Sequence, residues 1–149
     1  TKNKVNPTDK NARFLLLLKT FDMKKTIINT PEAPSPIGPY NQAVLVNDTL
    51  YLSGQIPLIP ETMTLLSDTV EAETELVMKN LKVVLKAAHM DFENVVKTSI
   101  FLDNMENFAA VNSVYGSFFD EATAPARETV AVKTLPKSVR VEISMIAVK

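Results

Sequence analysis

The spacing of apolar residues changes along the chain, and each change marks an element. From Asp68 on, Val70, Val77, Leu81, Val84, Leu85 and Ala88 fall on one helical face, while Glu73, Glu75, Lys79, Lys82 and Lys86 fall largely elsewhere. Acids lead and lysines trail, as the helix dipole favours. This predicts a helix from about Thr69 to Ala88. A second amphipathic stretch, "MENFAAVNSVYGSFFDEA" (105–122), predicts a helix that buries Phe108, Val111, Tyr115 and Phe118 or Phe119. Elsewhere the period is two. "KKTIINT" (24–30), "VVKTSIFL" (95–102), "RETVAVKTL" (127–135) and "VRVEISMIAV" (139–148) read as strands, and "AVLVNDTLYLSG" (43–54) as a hairpin turning at Asn47-Asp48. In the last strand Val139, Val141, Ile143 and Met145 point one way; Arg140, Glu142 and Ser144 point the other. "PEAPSPIGPY" (31–40) holds four prolines and reads as an ordered loop. "QIPLIPETMTLLSD" (55–68) is a connection of a length that is often functional or mobile.

The predicted order is β-ββ-α-β-α-ββ, with two helices covering one face of a mixed sheet. That is an α+β sandwich in a single domain. The other sheet face mixes Arg, Glu, Ser, Thr and Lys with Ala and Val. It is too polar for a closed core and too apolar for bare solvent, so it is expected to form an oligomer interface containing a polar pocket. The first 22 residues, "TKNKVNPTDKNARFLLLLKTFD", are basic and polar apart from "FLLLL". They read as an amino-terminal extension, artificial or targeting in origin, and residues 23–149 as the folded domain.

Composition removes several chemistries. The net charge of −1 argues against a generally basic nucleic-acid binder. The absence of cysteine excludes disulfides, cysteine-ligated zinc, iron–sulfur clusters and thiol nucleophiles. It also fits a reducing compartment, hence the cytoplasm, or an organelle such as the mitochondrion if residues 1–22 are a natural targeting segment. The one histidine, His89, cannot build a multi-histidine metal site within a chain; after a long helix it suits a left-handed, helix-ending position. Three glycines, Gly38, Gly54 and Gly116, cannot supply the usual phosphate-binding loops. No apolar run approaches the roughly 18 residues of a membrane span. No cofactor is expected.

What remains is a small set of polar residues in awkward places. Arg127, in "TAPARETVAV", is a permanent cation where a strand begins, on the same strand face as Thr129. It can serve as a rigid fork for a carboxylate or phosphate, or pair with Glu142 or Glu128. Glu142 lies mid-strand among apolar neighbours. Burial would raise its pKa and a close arginine would lower it, so it is either a base or an arginine partner. Ser53-Gly54 ends a strand, where glycine lets a ligand approach the backbone. Tyr40 follows the proline loop and can pack there or reach a site. Asn112 lies within the second helix, where asparagine is a mediocre former.

"IGPYNQAV", "LYLSGQIP", "NLKVVLKAA", "VVKTSIFLDNMENFAAVNSVYGSFF", "APARETVAV" and "LPKSVRVEISMIAV" occur in that order. Together they resemble the RidA/YjgF family of reactive-intermediate enamine/imine deaminases, from about Lys24 to Val148. The resemblance implies a chorismate-mutase-like fold assembled as a homotrimer, with the sheets facing the centre and the clefts between subunits. It implies hydrolysis of 2-iminobutanoate and 2-iminopropanoate, tautomers of enamino acids, to 2-keto acids and ammonia, with neither metal nor cofactor. It places the carboxylate-binding arginine on Arg127, the water-positioning glutamate on Glu142, and the cleft lining on Tyr40, Ser53, Gly54, Asn112 and Thr129. The chain departs from the bacterial pattern at Thr129, often cysteine there, at Ala124, where an aromatic is common, at His89 and in "ETMTLLSD". Endoribonuclease or translation-inhibitor activity, and a non-catalytic ligand-binding or chaperone-like trimer, are the alternatives within the wider family.

Overall fold

A computed structural model describes residues 23–149; the amino-terminal extension lies outside the described residues. Six strands form one sheet: β1 (Lys25–Ile28), β2 (Ala43–Val46), β3 (Thr49–Gln55), β4 (Val95–Leu102), β5 (Ala126–Ala131) and β6 (Val141–Val148). Their spatial order is β1-β2-β3-β6-β4-β5. All neighbours run antiparallel except β4 and β5, which are parallel. Two helices, α1 (Val70–Ala87) and α2 (Phe108–Gly116), pack together, and α1 lies against β3 and β6. The architecture is the α+β sandwich that the periodicity predicts.

Local chemistry explains the ends of the elements. The Thr69 hydroxyl accepts the Ala72 N–H at 3.2 Å and caps α1, with Glu71 and Glu73 in the first turn and Lys86 in the last. His89 takes the left-handed conformation (φ 59°) and its N–H reaches the Lys86 carbonyl at 2.9 Å, closing the helix. Asn47 (φ 52°) turns the β2–β3 hairpin. The second helix is shorter than its pattern predicts. A 3₁₀ turn (Met105–Asn107) leads into it, and beyond Gly116 the Phe118 and Phe119 rings leave the helical path to meet Phe92 edge-on, at 5.4 and 5.3 Å. Aromatic packing there wins over helical periodicity.

Leu50, Leu52, Thr98, Ile100, Leu102, Val141, Ile143, Met145 and Ala147 are buried beneath the helices. The opposite face is open: Tyr51 is 50 % exposed and Val130 43 %. The 55–68 connection is ordered. Leu58 bridges Leu65, the buried Asn80 amide donates to the Leu58 carbonyl at 2.9 Å, and Ile56 and Leu58 join Leu135 and Val139 in a second small core. No described helix is long and apolar enough to cross a membrane.

Arg140 corrects the alternation assigned to the last strand. β6 begins at Val141, so Arg140 is not on the open face with Glu142 and Ser144. Its guanidinium crosses to α1, where Nη2 and Nε meet the Glu73 carboxylate at 2.7 and 3.1 Å and a further bond reaches the Asp68 carbonyl. Glu73, a buried acid on a helix, required such a partner. Arg140→Met strands that carboxylate. Since Arg140 itself is partly exposed, the loss should be about 2–3 kcal/mol of unfolding free energy, below the full cost of breaking a buried pair. Urea titration measures it, and an unchanged midpoint would mean that water already solvates Glu73.

Candidate functional site

The polar residues singled out by sequence gather in two places. Tyr40, Gly54 and Glu142 line a cavity of about 250 Å³ at the end of the sheet, with Pro34, Ser35 and Ile37 as its outer wall. Asn112 and Arg127 line a more open cleft of about 530 Å³ with Tyr115, Phe119, Ala124 and Pro125. Ser53 is beside the first cavity without lining it, and its hydroxyl donates to the Asn41 carbonyl at 2.6 Å. Thr129 lines neither; its hydroxyl oxygen is buried without a hydrogen-bond partner.

Pleating explains the division. Arg127 is in register with Thr98, and Thr98 is buried on the helix-covered face, where it accepts the Tyr115 hydroxyl at 3.1 Å. Arg127 and Thr129 therefore belong to the helix side of edge strand β5. Glu142 lies between Val141 and Ile143, both fully buried, and so projects from the open side. Arg127 and Glu142 leave the sheet in opposite directions. Neither sequence-level pairing for Arg127 forms. Among the described residues it has no carboxylate partner, and Glu128 is bound instead by Lys97 and Ser99, in that order of effect, which holds its pKa low.

Arg127 is held from below by α2. Asn112 Oδ1 accepts from its Nη1 at 2.8 Å, and its guanidinium carbon lies 5.0 Å from the Tyr115 ring centre and 5.9 Å from that of Phe108. Asn112 and Tyr115 are three residues apart, hence neighbours on one helix face. Burial raises the Tyr115 phenol above its usual range, with the Thr98 bond and the Arg127 charge opposing. One nitrogen is thus occupied and the rest of the fork is available. Tyr115 reads in the sequence only as a core residue. Its spacing from Asn112 was the available signal for a second role.

Glu142 sits where β3 bulges. The β3–β6 register shifts between Leu52 and Gln55, and Gly54 falls in the shift. A Cβ on Gly54 would collide with the Glu142 carboxylate. The glutamate side chain thus occupies the space a Cβ at position 54 would fill, and a larger residue there would have to displace it. Among the described residues no hydrogen bond reaches the Glu142 carboxylate, and burial pushes its pKa up. Such a carboxyl favours the folded state when protonated. That contribution is fully present below its unfolded pKa and is lost as pH rises through the raised folded one. Glu142→Gln should therefore be more stable than the wild type at about pH 7, with the gap closing towards about pH 4. Paired denaturation curves at both pH values check this, and a less stable variant at neutral pH would reveal a partner for the carboxylate.

A family model described as Endoribonuclease L-PSP matches residues 30–149. The chain is 53% identical over 127 residues to a RutC family protein of Synechocystis, covering 85% of this chain and 98% of the relative. It is 45% identical over 125 residues to the mouse protein named 2-iminobutanoate/2-iminopropanoate deaminase, covering 84% of this chain and 92% of that one. Its fold superposes on the crystal structure of RidA from an Antarctic Psychrobacter with a TM-score of 0.79 at 39% identity, covering 83% of this chain and 99% of the other. The family match spans β2 to β6, both helices and both cavities, and the chain belongs to the Endoribonuclease L-PSP family, the group that includes the Rid proteins.

Proposed function

We propose that the protein hydrolyses 2-imino acids, the 2-iminobutanoate and 2-iminopropanoate class, to 2-keto acids and ammonia. The observation that carries this reading is Arg127: a permanent cation, oriented by Asn112 and Tyr115, unpaired among the described residues and facing a cleft. A planar fork of this kind suits a carboxylate. The name of the mouse relative supports the same substrate class.

In the proposed reaction the substrate carboxylate rests on Arg127. The protonated imine is already a strong electrophile, so position matters more than activation. Glu142, unpaired and partly desolvated, accepts a hydrogen bond from the attacking water. Water adds to the imine carbon, a carbinolamine forms, and ammonia leaves as the C–N bond breaks. Arg127 cannot act as the base, because it does not deprotonate in this range. Tyr40 and Gly54 line the Glu142 side, and Asn112 the Arg127 side.

Opposite projection of Arg127 and Glu142 means that one chain offers two half-sites. We infer that a neighbouring copy supplies the missing half, in a homotrimer whose open sheet faces turn inward. The half-apolar face carrying Tyr51, Val130 and Ile146 supports such an assembly. Ribonuclease chemistry has less support: the single histidine ends α1, and the net charge of −1 does not favour a phosphate backbone.

The imine is generated in situ with a dehydratase and keto-acid release is followed. Arg127→Ala should lose about a hundredfold or more in kcat/KM, and Arg127→Lys nearly as much, since the fork is gone. No acceleration by the wild type over the spontaneous rate would sink the assignment. Arg127→Ala and Glu142→Gln subunits, each inactive, should recover about a quarter of wild-type activity when refolded together, because some sites then pair two intact halves. No recovery would place both residues in one subunit's site.

A further inference from the structure

Gln42 is 1 % exposed, yet its amide makes four contacts to main chain. Its Oε1 accepts the Thr30 N–H at 2.7 Å. Its Nε2 donates to the carbonyls of Thr30, Pro34 and Ala33 at 3.0, 3.0 and 3.2 Å. Two protons serve three carbonyls, so one is shared. The segment so held is the proline loop, whose residues Pro34, Ser35, Ile37 and Tyr40 wall the Glu142 cavity. Proline has no N–H, and this loop has few bonds of its own: Tyr40 N–H to the Gly38 carbonyl at 2.8 Å and Ile37 N–H to the Tyr40 hydroxyl at 3.3 Å. Gln42 is also joined to the cavity floor. Its carbonyl accepts the Ser53 N–H at 3.0 Å, and the Ser53 hydroxyl donates to the adjacent Asn41 carbonyl at 2.6 Å, one residue before Gly54.

We propose that Gln42 is a positioning residue for the reaction, holding the wall from Pro34 to Tyr40 at a fixed distance from Glu142. The proposal rests on the imine-hydrolase reading of this cavity. Gln42 also borders the cavity, but its amide is saturated by the loop and offers no free hydrogen bond to a substrate. It sets the width of the space that receives the substrate. Glu142 and Gly54 ride on the sheet and keep their places when the wall moves. Loss of the clamp therefore weakens substrate capture more than it slows the bound reaction.

The test compares Gln42→Leu, close in volume but unable to hydrogen-bond, with the wild type. Hydrolysis of 2-iminobutanoate should show KM raised about tenfold with kcat within about twofold. Binding of 2-oxobutanoate, the keto-acid product, should weaken by a similar factor. Backbone amide exchange at Thr30 and Glu32 should accelerate at least about tenfold while α1 and β4 stay protected. Because Gln42→Leu can fail to fold, Ser53→Ala provides a milder loosening of the same wall, through the neighbouring hydroxyl bond to the Asn41 carbonyl. It should move KM in the same direction, and Ser53→Thr, which keeps the hydroxyl, should restore it. Folded variants with unchanged KM and unchanged 2-oxobutanoate affinity, or with kcat lowered and KM unaltered, overturn the proposal. If the wild type does not hydrolyse the imine, the imine-hydrolase reading fails by itself. Gln42 is then judged by 2-oxobutanoate: tenfold weaker binding in Gln42→Leu upholds the clamp, while equal binding, or none by the wild type, overturns it.

Discussion

The alternation of β6 is the constraint on which the rest of the molecule depends. Val141, Ile143, Met145 and Ala147 are buried against α1, and nothing in that row can shift by one residue without exposing all four. The residues between them, Glu142, Ser144 and Ile146, must then face the open side. Placing a carboxylate there costs desolvation on a sheet flanked by Phe101 and the second small core. Register therefore fixes where Glu142 is, and its surroundings fix its raised pKa. The same strand pairs with β4, and β4 with β5, so the register also dictates that Arg127 emerges on the other side.

Arg127 solves a different problem. An unpaired cation beside a core is tolerable when its stem packs and its head keeps partners. Tyr115 supplies a ring face, Asn112 an oxygen, and neither neutralises the charge. A glutamate in place of Asn112 would hold the guanidinium more tightly but would leave nothing for a ligand. The chain has acids nearby. Glu128, the next residue in sequence, is turned away by the pleat and held by Lys97 and Ser99. Keeping opposite charges apart in this way leaves both Arg127 and Glu142 available to a third party.

Much of this was legible in the sequence because long periodic segments carry their own register. "VVKTSIFL" becomes β4 over the same residues, and the acid-leading, lysine-trailing run becomes α1 within a residue at each end. Short signals fared worse. Arg140 fits the alternation of "VRVEISMIAV", but Pro136 and two left-handed residues, Lys137 and Ser138, delay the strand, and the buried Glu73 claims the side chain. The second helix stops early because Phe118 and Phe119 pack against Phe92 better out of line than in it. The sequence singled out Tyr40, Gly54, Asn112, Arg127 and Glu142, which line cavities, but not how they divide between two of them. A period-two pattern says which residues of one strand share a face. It does not say which face of β5 matches which face of β6, and that depends on β4 between them. Nor could it show that the Ser53 hydroxyl serves the Asn41 carbonyl or that Thr129 is enclosed.

The bulge at Ser53-Gly54 links these points. A Cβ at position 54 would meet the Glu142 carboxylate, so a larger residue there would have to displace the glutamate side chain. A bulge leaves backbone groups unpaired with the neighbouring strand. On the other edge of β3 the ladder with β2 continues by one pair, Ser53 N–H to the Gln42 carbonyl, and the Ser53 hydroxyl meets the Asn41 carbonyl, both at the end of the proline loop. The strand end beside the carboxylate is thus tied to the same segment that walls its cavity. A cavity assembled in this way need not be opened by a dedicated lid: its width follows from how the loop is tied, chiefly by the buried Gln42 amide and, at its end, by Ser53.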